Sequence, residues 1–580
     1  SSELLIFEIN VMNVSRPSFR KKKRQVGKPS RFIVPDNRVK LVFGILAISI
    51  FALIGRMAWL QLIQAPELES EARDRQTSVT EPLGGRRSIV DRNGRLLAID
   101  EQKFRVWAHP NNFYFPGDDT AEQTRTIEEV VEKISIFLPN SSQQLIDKLT
   151  GRRSGVRLVE GLSEDTANQI RSLGISGLEL EPYLERIYPQ GSLVANIVGF
   201  LNQERVAQAG LEQSLHDDLL RDEKSIIIRT GYDGTPLPDG LAPGSFERDS
   251  QQLHLTLDAR LQELSANALE EQVDKWNANK GVAIVMNVNN GELLALASTP
   301  TYDPNEYWEY SPSLFREWSV QDLFDPGSTF KPINLAIALQ EGVIAPSGTV
   351  NDTGKIRIGS ETVYNHDGRA NGKIDFATVL KVSSNVGMIN AMAQLEPGNY
   401  WDWLQKLGID RKPQTDLPGA VAGLLQSRSQ FIAQPIAPAT ASFGQGFSLT
   451  PLKLAQLHAL IANGGTLVSP HVTRGLHGNN GWTVLYNPST EKIFRTEVTE
   501  VVRSWMESVV EEGTAMGVRT PGYRIGGKTG TAEKLVNGRY LPGTKICSFV
   551  AHLPVDDPKY VILVVVDEPK GESAFGSTVA

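Results

Sequence analysis

The chain reads as a membrane-anchored protein of the α+β class: an N-terminal transmembrane helix, an elongated mixed domain, and a final domain built from a sheet with helices packed on it. Three observations predict this. An apolar run long enough to span a bilayer follows a basic block, a stretch rich in Gly and Pro interrupts the remainder, and beyond it a helical pattern gives way to strand, turn, strand. At 580 residues and 40% apolar, the chain is long enough for at least two folded units.

Ten Lys or Arg and a single acid, Asp36, lie between Met12 and Lys40, although the chain as a whole carries a formal charge of -8. That acidic balance argues against a nucleic-acid binder, and the local basic block marks a tail held against an anionic surface. Leu41 to Gly55 is uncharged and apolar, and the pattern resumes after Arg56 through Ile63, giving 23 residues. Such a run spans about 30 Å of hydrocarbon, with Arg56 and Trp59 suited to the headgroup interface. The positive-inside rule keeps residues 1–40 cytoplasmic and sends everything after about residue 64 to the far side, so the expected location is a single-pass cytoplasmic (inner) membrane protein with an extracytoplasmic catalytic region. An uncleaved anchor at 41–63 is favoured over a signal peptide, because the run is long and no small-residue cleavage site follows it. Met12 looks like the natural start, which would make residues 1–11 upstream translation.

Residues 64–245 show short alternating runs and frequent Gly and Pro, without an internal repeat. Asp91 to Arg95 contains Asn93-Gly94 between Ile89-Val90 and Leu96-Leu97-Ala98, the signal of a hairpin. The linker candidate is Gly234 to Ser245. From 250 to 580 the pattern runs from Leu253, Leu255 and Leu257 into a helix at Leu261 to Trp276, then a strand at Val282 to Met286, a turn at Asn289-Asn290-Gly291 and a second strand at Leu293 to Ala297. Further helical runs appear at Pro332 to Leu339, Ala377 to Leu395 and Val498 to Glu512. The single cysteine, Cys547, excludes an internal disulfide and a multi-thiolate zinc site, and reads as a small buried strand residue.

The chemistry is concentrated at Asp325-Pro326-Gly327-Ser328-Thr329-Phe330-Lys331-Pro332, a turn feeding a helix that is apolar nearly all round. A spacing of three puts Ser328 and Lys331 on one helical face, with the amine in reach of the hydroxyl. Serine needs a base to become a nucleophile, and lysine serves only when burial or nearby positive charge lowers its pKa from about 10.4. Ser-x-x-Lys alone is weak: Ser489 and Lys492 repeat it, with no buried helix behind them, and read as a surface turn. Two further elements give context, Ser383-Ser384-Asn385 opening a helical run, and Lys528-Thr529-Gly530-Thr531 in a strand-like run after Gly526-Gly527.

Ser-x-x-Lys, Ser-x-Asn and Lys-Thr-Gly in this order resemble the active site of penicillin-binding proteins and serine β-lactamases. The resemblance implies an antiparallel sheet with helices on both sides and assigns roles. Ser328 would be the acylated nucleophile, Lys331 its base, Ser383 a proton relay, Asn385 a positioner of the substrate amide and Lys528 a source of positive potential. Thr529 and Thr531 would hold the terminal carboxylate of a D-alanyl-D-alanine stem peptide, the N–H groups of Ser328 and Thr531 would form the oxyanion hole, and Gly530, with Gly526 and Gly527, would let substrate backbone approach. No metal or organic cofactor is needed. Glu-x-x-Leu-Asn, the deacylating segment of class A β-lactamases, does not occur, so fast hydrolysis is not expected.

Arg87 to Gly94 and Arg186-Ile187-Tyr188-Pro189 resemble the pedestal (dimerisation-like) domain of class B penicillin-binding proteins, which are monofunctional transpeptidases, and the region before 245 is too small for a glycosyltransferase. Ser383 to Gly387, Phe443-Gly444-Gln445-Gly446 and Leu449-Thr450-Pro451 are similar to the division-specific, septal branch. The likeness implies inhibition by β-lactams, and as partners a polytopic division glycosyltransferase and other division proteins. A non-catalytic β-lactam receptor or scaffold and a D,D-carboxypeptidase are the rival functions. The sequence departs from the family at Ala551-His552, where a glycine and an apolar residue are usual, and His552 reads as a strand-edge residue. Members usually continue past residue 580 into a last helix, so a C-terminal truncation is expected.

Overall fold

A computed structural model describes residues 36–68, 77–80, 84–118, 125–221, 226–229, 249–536 and 539–580. Most of the basic block and the linker candidate at 234–245 lie outside the described residues. The chain divides into two compact units, one containing the N-terminal helix and the other composed of residues 81–226 and 243–580. The helix, Asp36–Leu68, contains the expected 41–63 segment, has an apolar window of mean hydropathy 2.2 with none of it buried, and is long enough to cross a bilayer as a single anchor.

In the second unit the expected hairpin joins Ile89–Val90 to the long strand Leu96–Ala108. Asp91 sets the turn: one carboxylate oxygen accepts the N–H groups of Asn93 and Arg95, the other accepts Ala259 N–H at the start of a distant helix. The long strand pairs antiparallel with Leu178–Ile187 and Val156–Leu162. Helices Ile127–Ile134 and Ser142–Leu149 begin at Thr126 and Ser141, each with a reciprocal cap to the third helical residue, Glu129 and Gln144. These elements close a core around Phe104, Val106, Val131, Ile134, Leu145 and Ile170. On its other side Ile89–Val90 pairs in parallel with Gln252–Leu255, which pairs with Thr473–Gly478. One seven-stranded sheet therefore runs from the pedestal into the C-terminal region.

That C-terminal region centres on five antiparallel strands: β1 (Lys280–Asn287), β2 (Leu293–Thr299), β3 (Gly526–Val536), β4 (Arg539–Leu553) and β5 (Tyr560–Asp567), in the spatial order β3-β4-β5-β1-β2. Both faces are covered, which is why β1 is apolar at successive positions rather than alternating. Leu269 and Val273 of helix α1 (Ala259–Lys275) pack with Ala283, Ala297 and Cys547 on one face. Val282, Ile284 and Leu563 on the other face belong to the main core with helices α2 (Lys331–Gln340), α4 (Pro451–Ala462) and α5 (Thr496–Glu512), α3 being Asn385–Met392. The single helical run expected at 377–395 is broken: Phe376–Lys381 ends, Ser383 takes φ +56°, and α3 begins with Ser384 accepting Gly387 N–H at 2.8 Å. In the second Ser-x-x-Lys, Thr490–Lys492 form a short exposed strand that begins just after Ser489, not a turn.

A buried ionic cluster holds the pedestal base. Glu212 is fully buried between Arg86 and Arg186, at 2.8 and 2.7 Å, and Arg186 also meets Asp100 at 3.2 Å. The surrounding carboxylates raise the Arg186 pKa against the effect of burial. Glu212→Gln should leave two buried guanidinium groups undercompensated and destabilise the fold by about 3–5 kcal/mol, read as a lower denaturant midpoint for the extracytoplasmic region.

Candidate active site

The three motifs come together where α2, α3 and β3 meet. Ser328 lies in a tight turn, Gly327–Phe330, that runs into α2, and its side chain stays partly accessible between buried neighbours. Residues 331–339 are all buried, so the apolar helix carries Lys331 into the core with it. Lys331 Nζ donates to Ser383 O at 2.6 Å and Asn385 Oδ1 at 2.8 Å, and lies 3.2 Å from Ser383 Oγ. Ser383 Oγ is 3.1 Å from Ser328 Oγ. The direct amine-to-Ser328 bond anticipated from helical spacing is thus replaced by a chain through Ser383, because the left-handed turn at Ser383 inserts that hydroxyl between them.

Burial, and then the nearby charge of Lys528, push the Lys331 pKa well below its ordinary value, with Asp352 opposing. Lys528 is itself fully buried on β3, donates to Thr529 O at 2.9 Å and is lowered to about 7 by burial. Thr529 and Thr531 alternate with Lys528 and so leave β3 on its other face. Thr529 Oγ1 is 2.9 Å from Thr514 Oγ1, and Thr531 Oγ1 accepts Gly576 N–H at 3.0 Å. Gly530 lies between them, and the packing gives a reason for glycine that the sequence did not. A Cβ at Gly530 would meet Ser548 Oγ at 2.4 Å and Thr329 Cγ2 at 2.9 Å, and one at Gly526 would meet the His552 ring at 2.4 Å. These glycines make room for the protein's own side chains, with the nucleophile turn pressed against β3.

Four residues of the site have roles that the sequence did not assign. Asn365, 4% exposed, accepts from Asn385 N–H at 2.9 Å, Val386 N–H at 3.1 Å and Ser384 Oγ at 3.2 Å. Its amide nitrogen donates to both oxygens of the buried Asp352, at 2.8 and 2.9 Å. The Ser383–Asn385 turn is therefore held from behind by an amide and a carboxylate from a separate pair of small hairpins. Asp325 accepts from Tyr540 Oη at 2.8 Å and Gly446 N–H at 3.2 Å, and Gly327 N–H donates to Gly444 O at 2.9 Å, so the Phe443 to Gly446 segment braces the nucleophile turn. Thr514 is the fourth. Each partner is far away in sequence, so only the fold reveals the contact.

His552 is not at a strand edge. It lies on β4, paired on both sides, opposite Gly526 and Val561, and is 1% exposed. Among the described residues no three His, Cys, Asp or Glu side chains group to hold a metal ion.

Residues 281–580 match the penicillin binding protein transpeptidase domain and residues 83–227 the penicillin-binding protein dimerisation domain. A protein of Mesostigma viride called peptidoglycan D,D-transpeptidase FtsI homolog is 35% identical over 94% of this chain and 93% of its own length. Escherichia coli peptidoglycan D,D-transpeptidase FtsI is 29% identical over 94% and 89%. The crystal structure of penicillin binding protein 3 from Mycobacterium tuberculosis superposes with a TM-score of 0.63 over 87% of this chain and 94% of that one, at 23% identity, a likeness of fold. The chain therefore belongs to the penicillin-binding proteins, in the class that joins a dimerisation domain to a single transpeptidase domain.

Proposed function

We propose that this protein is the peptidoglycan D,D-transpeptidase of septal wall synthesis, working through an acyl-enzyme on Ser328. The observation that carries the reading is the hydrogen-bond accounting around Lys331. Two of its three near oxygens, Ser383 O and Asn385 Oδ1, can only accept. The two hydrogens of a neutral amine satisfy them and leave its lone pair toward the Ser383 hydroxyl; Ser383 Oγ donates to Ser328 Oγ at rest and turns to accept from it as the proton moves. The relatives called D,D-transpeptidases support the same chemistry.

In the first step Ser328 Oγ attacks the carbonyl carbon of the penultimate D-alanine while its proton passes to Ser383 and the Ser383 proton to Lys331. The N–H groups of Ser328 and Thr531 receive the oxyanion. Collapse breaks the peptide bond, and the departing D-alanine amine takes the proton back along the same route. An amine of a neighbouring stem peptide then attacks the ester, giving a proton to Lys331, and the carbon–Oγ bond breaks as Ser328 takes that proton back through Ser383. Asn385 positions the substrate amide, Lys528 supplies positive potential, and Thr529, Gly530 and Thr531 present the carboxylate site. β-Lactams would acylate the same hydroxyl. The basic block supports an N-terminus inside and the catalytic region outside the membrane. A polytopic glycosyltransferase and other division proteins are the partners that follow from a septal role.

Incubation of the membrane-extracted full chain with a labelled penicillin should give one long-lived adduct, on the peptide containing Ser328, and none in Ser328→Ala. An adduct elsewhere would remove Ser328 as nucleophile, and rapid loss of label would indicate a hydrolase. Product analysis with paired stem peptides should yield cross-linked dimers rather than trimmed monomers.

Acylation should rise with pH through the lowered Lys331 pKa and level off above it, because the base works deprotonated. Below about pH 7 Lys528 is charged, so Lys528→Gln removes a like charge and lets the Lys331 pKa rise. The acid limb of the acylation rate should therefore move to higher pH; a limb that stays or moves down would mean that another group titrates.

Asn365→Ala strips acceptors from two backbone N–H groups and Ser384, and the donor from Asp352. Loss of that support should slow acylation by at least about tenfold, the equivalent of 1.4 kcal/mol, in stopped-flow measurements.

A further inference from the structure

Beside the nucleophile turn two histidines are buried. His458 of α4 is 1% exposed, and its Nε2 lies 2.8 Å from the carbonyl oxygen of Thr329, the residue after Ser328. A carbonyl only accepts, so Nε2 carries the hydrogen and Nδ1 is left with a lone pair. That Nδ1 is buried with no hydrogen-bond partner among the described residues, and so is Nε2 of His552 on β4. The His552 ring occupies the space that Gly526 leaves by lacking a side chain. Burial lowers the His458 pKa to about 4 against the opposing bond to Thr329, and burial, with the charges of His458 and Arg503, lowers that of His552 to about 3, so both rings are neutral.

Keeping an imidazole here with one nitrogen unpaired costs stability that an apolar side chain would not. What the imidazole adds is one donor, aimed at the turn. Thr329 is held twice: its hydroxyl donates to Pro326 O at 2.7 Å and its carbonyl accepts from His458. Ser328 lies between Pro326 and Thr329, and for acylation its Oγ must face Ser383 while its N–H is aimed at the oxyanion. A small rotation of the Thr329 peptide would turn the Ser328 backbone and spoil both alignments.

We propose that His458 is a positioning residue for acylation, fixing the Ser328 turn through the Thr329 carbonyl, with His552 filling the adjoining space beside β3. This rests on Ser328 being the nucleophile. His458 acts through Thr329 and touches no substrate, so its loss should slow the covalent step and leave initial binding alone.

The test uses the full chain in detergent with a fluorescent penicillin, separating the dissociation constant of the first complex from the acylation rate constant. His458→Leu should lower the rate constant about tenfold, the equivalent of one buried hydrogen bond, and change the dissociation constant less than twofold. His458→Gln, whose amide nitrogen can occupy the Nε2 position, should recover to within about threefold of the parent, whereas His458→Asn, one methylene short of Thr329, should remain slow. The Gln and Asn variants give this contrast even if the Leu variant does not fold. Equal rates for Gln and Asn, or a Leu variant as fast as the parent, would overturn the proposal and leave His458 a packing residue. A parent protein with no adduct on Ser328 would instead overturn the nucleophile assignment.

Discussion

The site depends on an amine held where an ammonium ion is unwelcome. Lys331 is on a helix that is apolar on every side, and burying that helix buries the lysine with it. An amine in such a place must be neutral or be given a counter-charge, and Asp352 is too occupied to be a full one, since its carboxylate already accepts from Asn365, Asn371 and Gly354. The second lysine, Lys528, presses in the same direction. The geometry around the amine follows from this constraint: two acceptor-only oxygens saturate its hydrogens, and the third contact is a hydroxyl able to hand over a proton. The strained left-handed backbone at Ser383 is what delivers one of those oxygens and the hydroxyl together.

Much of this was legible in the residues, and what was not has a common cause. Ser328, Lys331, Ser383, Asn385 and Lys528 are in short local patterns whose order limits how they can converge, and the structure brings them together. The strand, turn, strand of β1 and β2 and the Asn93-Gly94 hairpin are also local, each governed by residues within a few positions of one another. Asn365, Asp352, Thr514 and Asp325 escaped because their importance lies in whom they meet, 13 to more than 200 residues away. The break at Ser383 escaped because the apolar period continues through it. Only the capping hydroxyl of Ser384 marks a new helix, and a serine inside an apolar run is a weak sign of that.

Gly526 and Gly530 illustrate a subtler difference. Strand glycines indicate close approach, but not what approaches. Here the visitors are His552, Ser548 and Thr329, all parts of the same protein. His552 and the glycine opposite it are one feature: a large ring is buried where its strand neighbour has no side chain.

The shared sheet has a mechanical meaning. Ile89–Val90 is hydrogen-bonded on one side to the pedestal strand Leu96–Ala108 and on the other to Gln252–Leu255, which leads directly into α1 and the catalytic sheet. A sideways load on the pedestal cannot be relieved by bending a loop at this junction; it must shear several backbone hydrogen bonds at once, the loading geometry in which sheets resist most. Tension in a growing wall would therefore be borne across the junction as a whole, and a tug felt by one half of this unit would be felt, nearly undiminished, by the other.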